Sequence, residues 1–422
     1  MKTIHTILQI NPSYPLMYPY NWEDIIFFDI ETTGFSANTS YLYLIGCMYY
    51  KNNTWQMTQW LADDMNSEIS ILEAFFQTLK SYKRLIHFNG SGFDIPFILQ
   101  KCRRHHLDYT FDNLESFDIY KKILPFKKML PLPNYKLKTI EQFVGLNRTD
   151  IFSGEDLIQI YANYLGRVQY EKLAGKKSVS VSQKVNLTDI ITHKEKDNTK
   201  NLTSEELSQI LLLHNLEDVK GLIQVADILY YCEVLVTPPL TDPLTLKATI
   251  SDDPNEAFIH FSITLPYRLP QPVTLRSPFP LFMQDMENEA QIPCSIRLSL
   301  DENQMKIILP IYEGELKYFF DNYRDYYYLP KEDTAIHKSV AQYVDKDFKV
   351  KAKPGTCYNK KYSRFLPQTD SQFSPWFKNS FQDKITYFEL TNEAFREPEK
   401  IYKYIQSLLQ YIITNKSTII LQ

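Results

Sequence analysis

Two carboxylates stand one residue apart near the start of the chain, in the segment "IIFFDIETTGF". Side chains alternate between the two faces of a β-strand, so Asp29 and Glu31 are predicted to share one face of the strand formed by this apolar run. Carboxylates placed side by side oppose each other's ionisation. Either this face is exposed to water, or the two acids jointly bind a cation.

Two further acids and one histidine stand at positions that could bring them to the same place. Asp94 follows the predicted strand "RLIHFNG", at the start of a helix. Asp218 lies in the predicted helix "HNLEDVKGL", and His214 precedes it by four residues, on the same helix face. Two divalent cations about 4 Å apart would remove the repulsion among the carboxylates, and such a pair suits phosphodiester hydrolysis. The expected cofactors are therefore two Mg²⁺ or Mn²⁺ ions.

Three of these segments carry a resemblance to a known family. "DIETTG", "NGSGFD" and "HNLED", in this order, resemble the three exonuclease motifs of the DEDD superfamily. More narrowly, the chain resembles the YprB-like ribonuclease-H-like proteins over roughly residues 22–232, including the segment "YKLKTIEQFVGLNRTDIFSGED". The resemblance implies a ribonuclease-H-like fold and the removal of single nucleotides from 3′ ends with two metal ions.

The resemblance also implies a role for each site residue. His214 would be the general base that deprotonates the attacking water. In histidine-type DEDD enzymes the histidine typically precedes the last aspartate by five residues, whereas the gap here is four, as in the YprB-like pattern. The carboxylates that would bind the metal ions are Asp29, Glu31, Asp94 and Asp218.

Several of these residues also have a simpler structural explanation. Asp94 could only cap the N-terminus of its helix, and His214 could be an ordinary half-buried histidine. Thr32 and Thr33 could contact a terminal nucleotide or only form the turn after the strand. Asn89 is a further candidate for substrate binding that could instead orient the turn at the end of its strand.

The elements that must position these side chains alternate between strand and helix patterns, and the resemblance implies that they form an α/β ribonuclease-H-like fold, with a mixed sheet flanked by helices. "IIFFDI", "YLYLIGCMYY" and "TWQMTQWLA" predict an antiparallel meander, and "RLIHF" and "ESFDIY" predict a fourth and a fifth strand. The helical segment "GEDLIQIYANYLG" is expected to end at Gly166. Short alternating strands in the second half predict a β-rich α+β C-terminal domain of unknown function.

Changes of composition divide the chain into domains. Residues 1–21 are expected to be an N-terminal lead-in, and residues 22–235 the ribonuclease-H-like exonuclease domain. Within it, residues 167–200 carry eight basic and four acidic residues and few large apolar ones, which predicts an inserted, mobile loop. Residues 236–243 form a proline-rich linker, and residues 244–422 form the C-terminal domain.

The C-terminal half contains one further candidate site, the basic and aromatic stretch "KDFKVKAKPGTCYNKKYSRF". Its seven basic residues stand against a single acid. Lysines could pair with phosphates while aromatic rings stack on bases, at roughly 1–3 kcal/mol per base. The alternative is a solvated hairpin whose aromatic rings face the core. The candidate nucleic-acid contacts of this stretch are Lys351, Lys353, Tyr358, Lys360, Lys361, Tyr362 and Arg364.

Composition excludes several classes of protein. The net charge of −4 gives no overall attraction for polyanions, so any nucleic-acid binding has to come from local basic patches. None of the five cysteines forms a CxxC pair, which argues against a zinc site or a disulfide framework. Neither a membrane span nor a signal peptide is evident, so we expect no membrane contact and a cytoplasmic location.

The sequence therefore predicts a metal-dependent 3′–5′ exonuclease that hydrolyses phosphodiester bonds of DNA or RNA by a two-metal mechanism. Its expected partner is nucleic acid, above all a single-stranded 3′ end, and the C-terminal domain could present the nucleic acid or bind a protein partner. Two alternatives remain open. One is a structure-specific endonuclease of the same fold, and the other is a catalytically inactive nucleic-acid-binding or scaffold protein.

Overall fold

The chain forms two compact units in the computed structural model. The first consists of Met1–Lys127 and Leu132–Tyr230, and the second of Lys128–Pro131 and Tyr231–Gln422. The structure describes residues 1–173, 202–236, 246–251, 257–284, 291–391, 393–415 and 418–420. Most of the predicted basic insertion (174–200) and of the predicted linker (237–243) therefore lies outside the described residues.

A six-stranded mixed sheet forms the centre of the first unit. Its strands are β1 (Lys2–Leu8), β2 (Ile25–Thr32), β3 (Leu42–Lys51), β4 (Thr54–Leu61), β5 (Arg84–His87) and β6 (Glu115–Asp118). They lie in the order β1-β4-β3-β2-β5-β6. The predicted antiparallel meander of β2, β3 and β4 is confirmed, and β5 and β6 continue the sheet in parallel with β2. β1 was not predicted, because its apolar residues do not alternate regularly, and it pairs antiparallel with β4 at the edge of the sheet.

Helices flank this sheet as the sequence predicts. They are α1 (Ser67–Leu79), α2 (Asp94–Arg104), α3 (Ile119–Ile123), α4 (Leu137–Phe143), α5 (Gly154–Leu173) and α6 (Ser204–Val225). α6 begins at a capping box, in which the side chains of Thr203 and Glu206 bind each other's backbone N–H groups. Aromatic packing supplies much of the core, for example the Tyr43 ring stacked on the Tyr161 ring with 4.1 Å between centroids.

The prediction that α5 ends at Gly166 is wrong. The helix continues to Leu173, so residues 167–173 of the predicted mobile insertion are helical. A glycine ends a helix when it adopts the left-handed conformation. Gly145, which follows α4, does so with φ of 84°, whereas Gly166 lies inside a regular helix.

The second unit is rich in β-structure, as predicted. Its strands are β7 (Leu246–Ser251), β8 (Phe258–Thr264), β9 (Val273–Gln284), β10 (Gln291–Asp301), β11 (Gln304–Pro310), β12 (Tyr312–Phe319), β13 (Tyr326–Leu329), β14 (Thr334–His337), β15 (Val350–Lys351), β16 (Tyr358–Gln368), β17 (Trp376–Phe377), β18 (Thr386–Glu389) and β19 (Thr418–Ile420). They form three sheets, ordered β19-β9-β10-β11-β8-β7, β12-β16-β18-β17 and β14-β13-β15.

Three further helices follow among the described residues after α6. They are α7 (Leu229–Val236), α8 (Lys338–Ala341) and α9 (Pro398–Thr414). The helix α9 buries one apolar face, and the hydroxyl of its Tyr404 donates a 2.7 Å hydrogen bond to the Pro367 carbonyl. None of the described helices is long and apolar enough to span a membrane.

Candidate active site

The carboxyl ends of two neighbouring parallel strands bring the first three acids to one edge of the sheet. β2 is fully buried from Ile25 to Phe28, and the partly exposed Asp29 and Glu31 follow on one side of the strand. β5 lies next to β2, and the chain that leaves β5 opens α2 with Asp94. The Asp94 carboxylate accepts the backbone N–H of Ile30, which lies between the other two acids. The alternation predicted from the sequence therefore holds, and it directs these acids to a common place.

α6 supplies the fourth acid and the histidine from the same helix face. The His214 Nε2 atom lies 3.4 Å from Asp218 Oδ2 and 3.9 Å from Glu31 Oε1. His214 is buried, and the side chains of Glu31 and Asp218 are only 12% and 16% exposed. The spacing of four residues thus places imidazole and carboxylate side by side, next to the end of β2.

The acids of the site lie close enough together for their charges to help raise the pKa values of three of them, Asp29, Glu31 and Asp94. Burial, followed by the charges of Asp218, Asp94 and Glu31, raises the pKa of Asp29 well above its usual value. Burial also raises the pKa of Glu31 to about 8, against the opposing effect of His214. The pKa of Asp94 rises to about 7, again mainly through burial. A group of acids that destabilises its own charged form in this way is suited to bind a cation.

The residues at this place fit a divalent metal ion. Ligand atoms of Glu31, His214 and Asp218 lie within 4.8 Å of one another. Glu31 Oε1 is buried and has no hydrogen-bond partner among the described residues. A buried carboxylate oxygen left without a partner is costly, and a metal ion would satisfy it. Carboxylates are also the ligands that Mg²⁺ and Mn²⁺ favour.

Asp150 holds the imidazole of His214 in one orientation. Its Oδ2 atom lies 2.6 Å from His214 Nδ1, and both side chains are buried. Burial alone would lower the pKa of His214, but the hydrogen bond to Asp150 and the charges of Asp218 and Glu31 outweigh it and raise the pKa to about 9. Because Nδ1 is bound to Asp150, Nε2 is the nitrogen that faces the acids.

A buried amide network fixes α6 against the sheet. The Asn215 side chain donates to Asp29 Oδ2 over 3.2 Å, and Gln59 donates to Asn215 Oδ1 over 3.0 Å. Gly46 of β3 lies directly opposite Asp29, and a Cβ atom there would stand 2.0 Å from Asn215 Oδ1. The absence of a side chain at Gly46 therefore allows Asn215 to reach Asp29.

An arginine contacts the site from the loop between α4 and α5. The guanidinium group of Arg148 forms an ion pair with Asp218 Oδ1 through Nη1. Its Nη2 donates to Glu141 Oε1 over 2.6 Å, and its Nε donates to Glu141 Oε2. Glu217 of α6 holds the following residues of the loop, because it accepts the backbone N–H groups of Thr149 and Asp150.

Three charged residues of this region were not predicted from the sequence to belong to the site. They are Glu141, Arg148 and Asp150, all within the segment "YKLKTIEQFVGLNRTDIFSGED". Their spacing has no relation to the distant acids, so no helix or strand period connects them to the site. The one available signal was their place in a segment that carried the family resemblance.

The weaker candidates around the strand ends make local contacts. The Thr32 hydroxyl donates to the Gly34 carbonyl over 2.9 Å, and the Thr33 hydroxyl accepts the Tyr41 N–H over 2.8 Å. Asn89 has a positive φ of 59°, and its N–H donates to Asp118 over 2.9 Å. Thr32 and Asn89 thus lie in turns that follow β2 and β5, whereas Thr33 pairs with Tyr41 just before β3.

An exposed aromatic ring at the same edge was not singled out from the sequence. Phe35 is 93% exposed, although it follows the Asp29–Glu31 strand by only a few residues. Its ring contacts that of Phe93, which directly precedes Asp94, with 6.1 Å between the ring centroids. Its place at the end of "DIETTGF" was the available signal.

The basic candidates of the second unit are largely engaged with acids. Lys360 lies 2.6 Å from Asp333, Lys361 lies 2.6 Å from Glu389, and Arg364 lies 2.9 Å from Glu313. These partners come from neighbouring parts of the chain, so residues outside the predicted stretch compensate part of its excess positive charge.

The aromatic candidates of this stretch differ in exposure along β16. Tyr358 is only 5% exposed, and its hydroxyl binds Asp333, so its ring has no free face for a base. The expectation that Tyr358 stacks on a base is therefore corrected. Tyr362 is 70% exposed, and Lys351 and Lys353 are also exposed. In the described part of the chain neither of these lysines forms an ion pair.

Comparison with known proteins agrees with the fold of the first unit. Residues 26–203 match the family model described as the RNase H superfamily, a span that includes Asp29, Glu31 and Asp94 and ends before α6. No curated protein matches the chain. A solved structure that matches is the family B DNA polymerase from the hyperthermophilic archaeon Pyrobaculum calidifontis, with 11% identity and a TM-score of 0.35. The alignment covers 60% of this chain and 34% of the polymerase, so the chain spans about a third of that protein's length. The sheet and the family match together identify a ribonuclease-H-like domain, followed by a β-rich C-terminal region.

Proposed function

We propose that the protein is a metal-dependent nuclease of the DEDD type that removes nucleotides from the 3′ ends of DNA or RNA. The observation that carries the proposal is the convergence of four acids, two of which, Glu31 and Asp218, lie beside His214 Nε2. The other two are Asp29 and Asp94. Carboxylates this close together oppose each other's ionisation, and two bound Mg²⁺ or Mn²⁺ ions would offset that repulsion. The ribonuclease-H-like domain, residues 22–235, would carry the chemistry.

His214 would serve as the general base. When bound, the divalent ions would activate water and stabilise the charge that develops on the phosphate and the leaving oxygen. In its neutral form, His214 would carry its proton on Nδ1 toward Asp150 and leave Nε2 free to accept the proton of the attacking water. Bound divalent ions would offset the charges of Asp218 and Glu31 that help to raise the His214 pKa to about 9, and would so favour this neutral form. The carboxylate of Asp150 then stabilises the imidazolium, as a carboxylate does in other acid–base pairs of this kind.

Phe35 supports a substrate with an unpaired end. An exposed ring beside the acids could stack on the base of a terminal nucleotide, and stacking does not depend strongly on which base is present. Thr32 and Thr33 shape the turn that presents this ring. The C-terminal domain, residues 244–422, would hold or present the remaining nucleic acid or bind a protein partner.

A degradation assay tests this function. Single-stranded and double-stranded DNA and RNA, each labelled at the 5′ end, would be incubated with and without Mn²⁺. We expect Mn²⁺-dependent shortening from the 3′ end, and a blocked 3′ end should stop it. Cleavage that continues despite the block would favour an endonuclease, and binding without any degradation would favour an inactive nucleic-acid-binding protein.

A further inference from the structure

Arg148 is held in one position by a buried carboxylate. Glu141 accepts two hydrogen bonds from its guanidinium group, and the side chains of Glu141 and Arg148 are 1% and 9% exposed. Such a two-point contact fixes the plane of the guanidinium group as well as its place. The remaining nitrogen, Nη1, extends to Asp218 Oδ1. Arg148 is therefore oriented independently of the metal-binding acids and reaches into their group.

Asp218 has two oxygen atoms in different surroundings. Oδ1 is paired with Arg148, whereas Oδ2 lies 3.4 Å from His214 Nε2. The carboxylate cannot rotate without breaking the ion pair with Arg148. Only Oδ2 is left to bind a metal ion on the side of His214 and Glu31.

A glycine on α6 makes room for this arrangement. A Cβ atom on Gly221 would lie 2.4 Å from Glu141 Oε1, the atom that accepts the Arg148 Nη2 hydrogen bond. Gly221 follows Asp218 by three residues, so the two lie on the same side of the helix. A side chain at this position would displace the Glu141 carboxylate from its place beside Arg148.

From these contacts we propose that Arg148 is a positioning residue for the metal-binding acids. It holds Asp218 so that the carboxylate binds a metal ion through a single oxygen, and its permanent positive charge weakens the affinity of the acids for divalent ions. A guanidinium group stays protonated at any physiological pH, so its charge is constant. It reduces the attraction that the acids exert on Mg²⁺ or Mn²⁺, and in return it holds Asp218 in the required orientation. This inference rests on the proposed metal site.

Removing the cation should separate these two effects. Arg148→Met alone would leave Glu141 buried and unpaired, and breaking a buried pair in this way is strongly destabilising. The test variant is therefore Arg148→Met combined with Glu141→Gln, which removes both charges of the pair. The variant leaves the net charge unchanged, but the lost guanidinium group contacts Asp218 directly, whereas the lost Glu141 carboxylate contacts Nε and Nη2 instead. The metal-binding acids therefore lose more positive than negative potential, and Mn²⁺ should bind several-fold more tightly. The turnover rate at saturating Mn²⁺ should fall at least about tenfold, because Asp218 is free to rotate.

The measurement is a titration of the full-length protein with Mn²⁺ in the absence of nucleic acid, followed by electron paramagnetic resonance of the free ion. Tighter binding with lower turnover supports the proposal, whereas Mn²⁺ affinity that stays unchanged or weakens overturns it. A residue with only a structural role would not tighten metal binding. If Asp29→Asn and Asp218→Asn leave Mn²⁺ binding at the wild-type level, the metal site itself, and with it the proposed function, is wrong.

Two glycine-to-alanine variants provide a second test that leaves every charge unchanged. Gly221→Ala should displace Glu141 and lower turnover several-fold, because Arg148 then loses its orientation. Gly166→Ala is the matched control, since it makes the same change within a helix where no atom lies within 4 Å of the added Cβ. Equal turnover in the two variants would contradict the proposed role of the Glu141 contact.

Discussion

His214 Nδ1 and Asp150 Oδ2 are joined by a buried 2.6 Å hydrogen bond, although the two residues lie 64 positions apart in the sequence. This bond turns the other imidazole nitrogen toward Asp218 and Glu31. The loop that carries Asp150 is itself held by Glu217 of α6. The helix that supplies the proposed base therefore also positions the residue that orients it.

Asp150→Asn should lower the turnover rate about 10²-fold or more, because an amide can stabilise neither the required tautomer nor the imidazolium. Mn²⁺ affinity should change little, since Asp150 is not one of the proposed ligands. Steady-state kinetics together with a Mn²⁺ titration would check both expectations. Asp112→Asn, an exposed change in another loop, is the control. Wild-type turnover in Asp150→Asn would refute the role of this pair.

Phe35→Ala should weaken the binding of substrate. The loss of one stacking contact is expected to cost about 1–3 kcal/mol, or roughly 5- to 150-fold in affinity. Phe35→Trp should retain binding, because it keeps an aromatic face at the same place. The measurement is the dissociation constant of each variant for a single-stranded oligonucleotide, with Ca²⁺ in place of the catalytic ion. Equal affinity in the alanine and tryptophan variants would contradict a stacking role.

Gly46→Ala should destabilise the first unit. The added Cβ would meet Asn215 Oδ1 at 2.0 Å in a fully buried position, and overpacking of this kind costs about 1–3 kcal/mol. The change should also separate Asn215 from Asp29. Urea unfolding would measure the loss of stability, with Gly154→Ala as the control because its Cβ has open space. An unchanged midpoint in Gly46→Ala would show that Asn215 has another way to pack.

His87 should make the protein sensitive to acid. Its side chain is buried, and this burial lowers its pKa to about 4, against the opposing charge of Asp118. The unfolded chain therefore binds the proton first, near pH 6.5, and folding stability falls as the pH drops from there toward 4. The total loss is about 3 kcal/mol, from 1.36 kcal/mol per pKa unit.

His87→Gln should remove most of this dependence. The measurement is the free energy of unfolding in urea between pH 7 and pH 4, for the wild-type protein and the variant. His106→Asn, at an exposed position, should keep the wild-type slope. An identical slope in His87→Gln would show that other groups govern the acid response.

Much of the site follows from local sequence rules. The period of two places Asp29 and Glu31 on one side of β2, and the spacing of four places His214 beside Asp218. These relationships hold because each depends on a single strand or helix. The same rule of alternation explains why the buried "IIFF" run ends in acids, since these lie where the strand reaches the edge of the sheet.

Other features depend on parts of the chain that no local rule connects. Arg148 and Asp150 enter the site through a loop, so their roles follow only from the folded structure. Tyr358 and Tyr362 appear equivalent in the sequence, yet one is buried and the other is exposed. No sequence pattern predicts a partner for Lys360, whereas the fold brings Asp333 to within 2.6 Å of it.

The most direct test of the account is the Mn²⁺-dependent shortening of a 5′-labelled single strand by the wild-type protein and by Asp218→Asn and Asp29→Asn. We predict that the wild-type protein shortens the strand from its 3′ end and that both variants lose this activity by at least about 10³-fold while remaining folded. Wild-type rates in either folded variant would contradict the assignment of the four acids as the metal site.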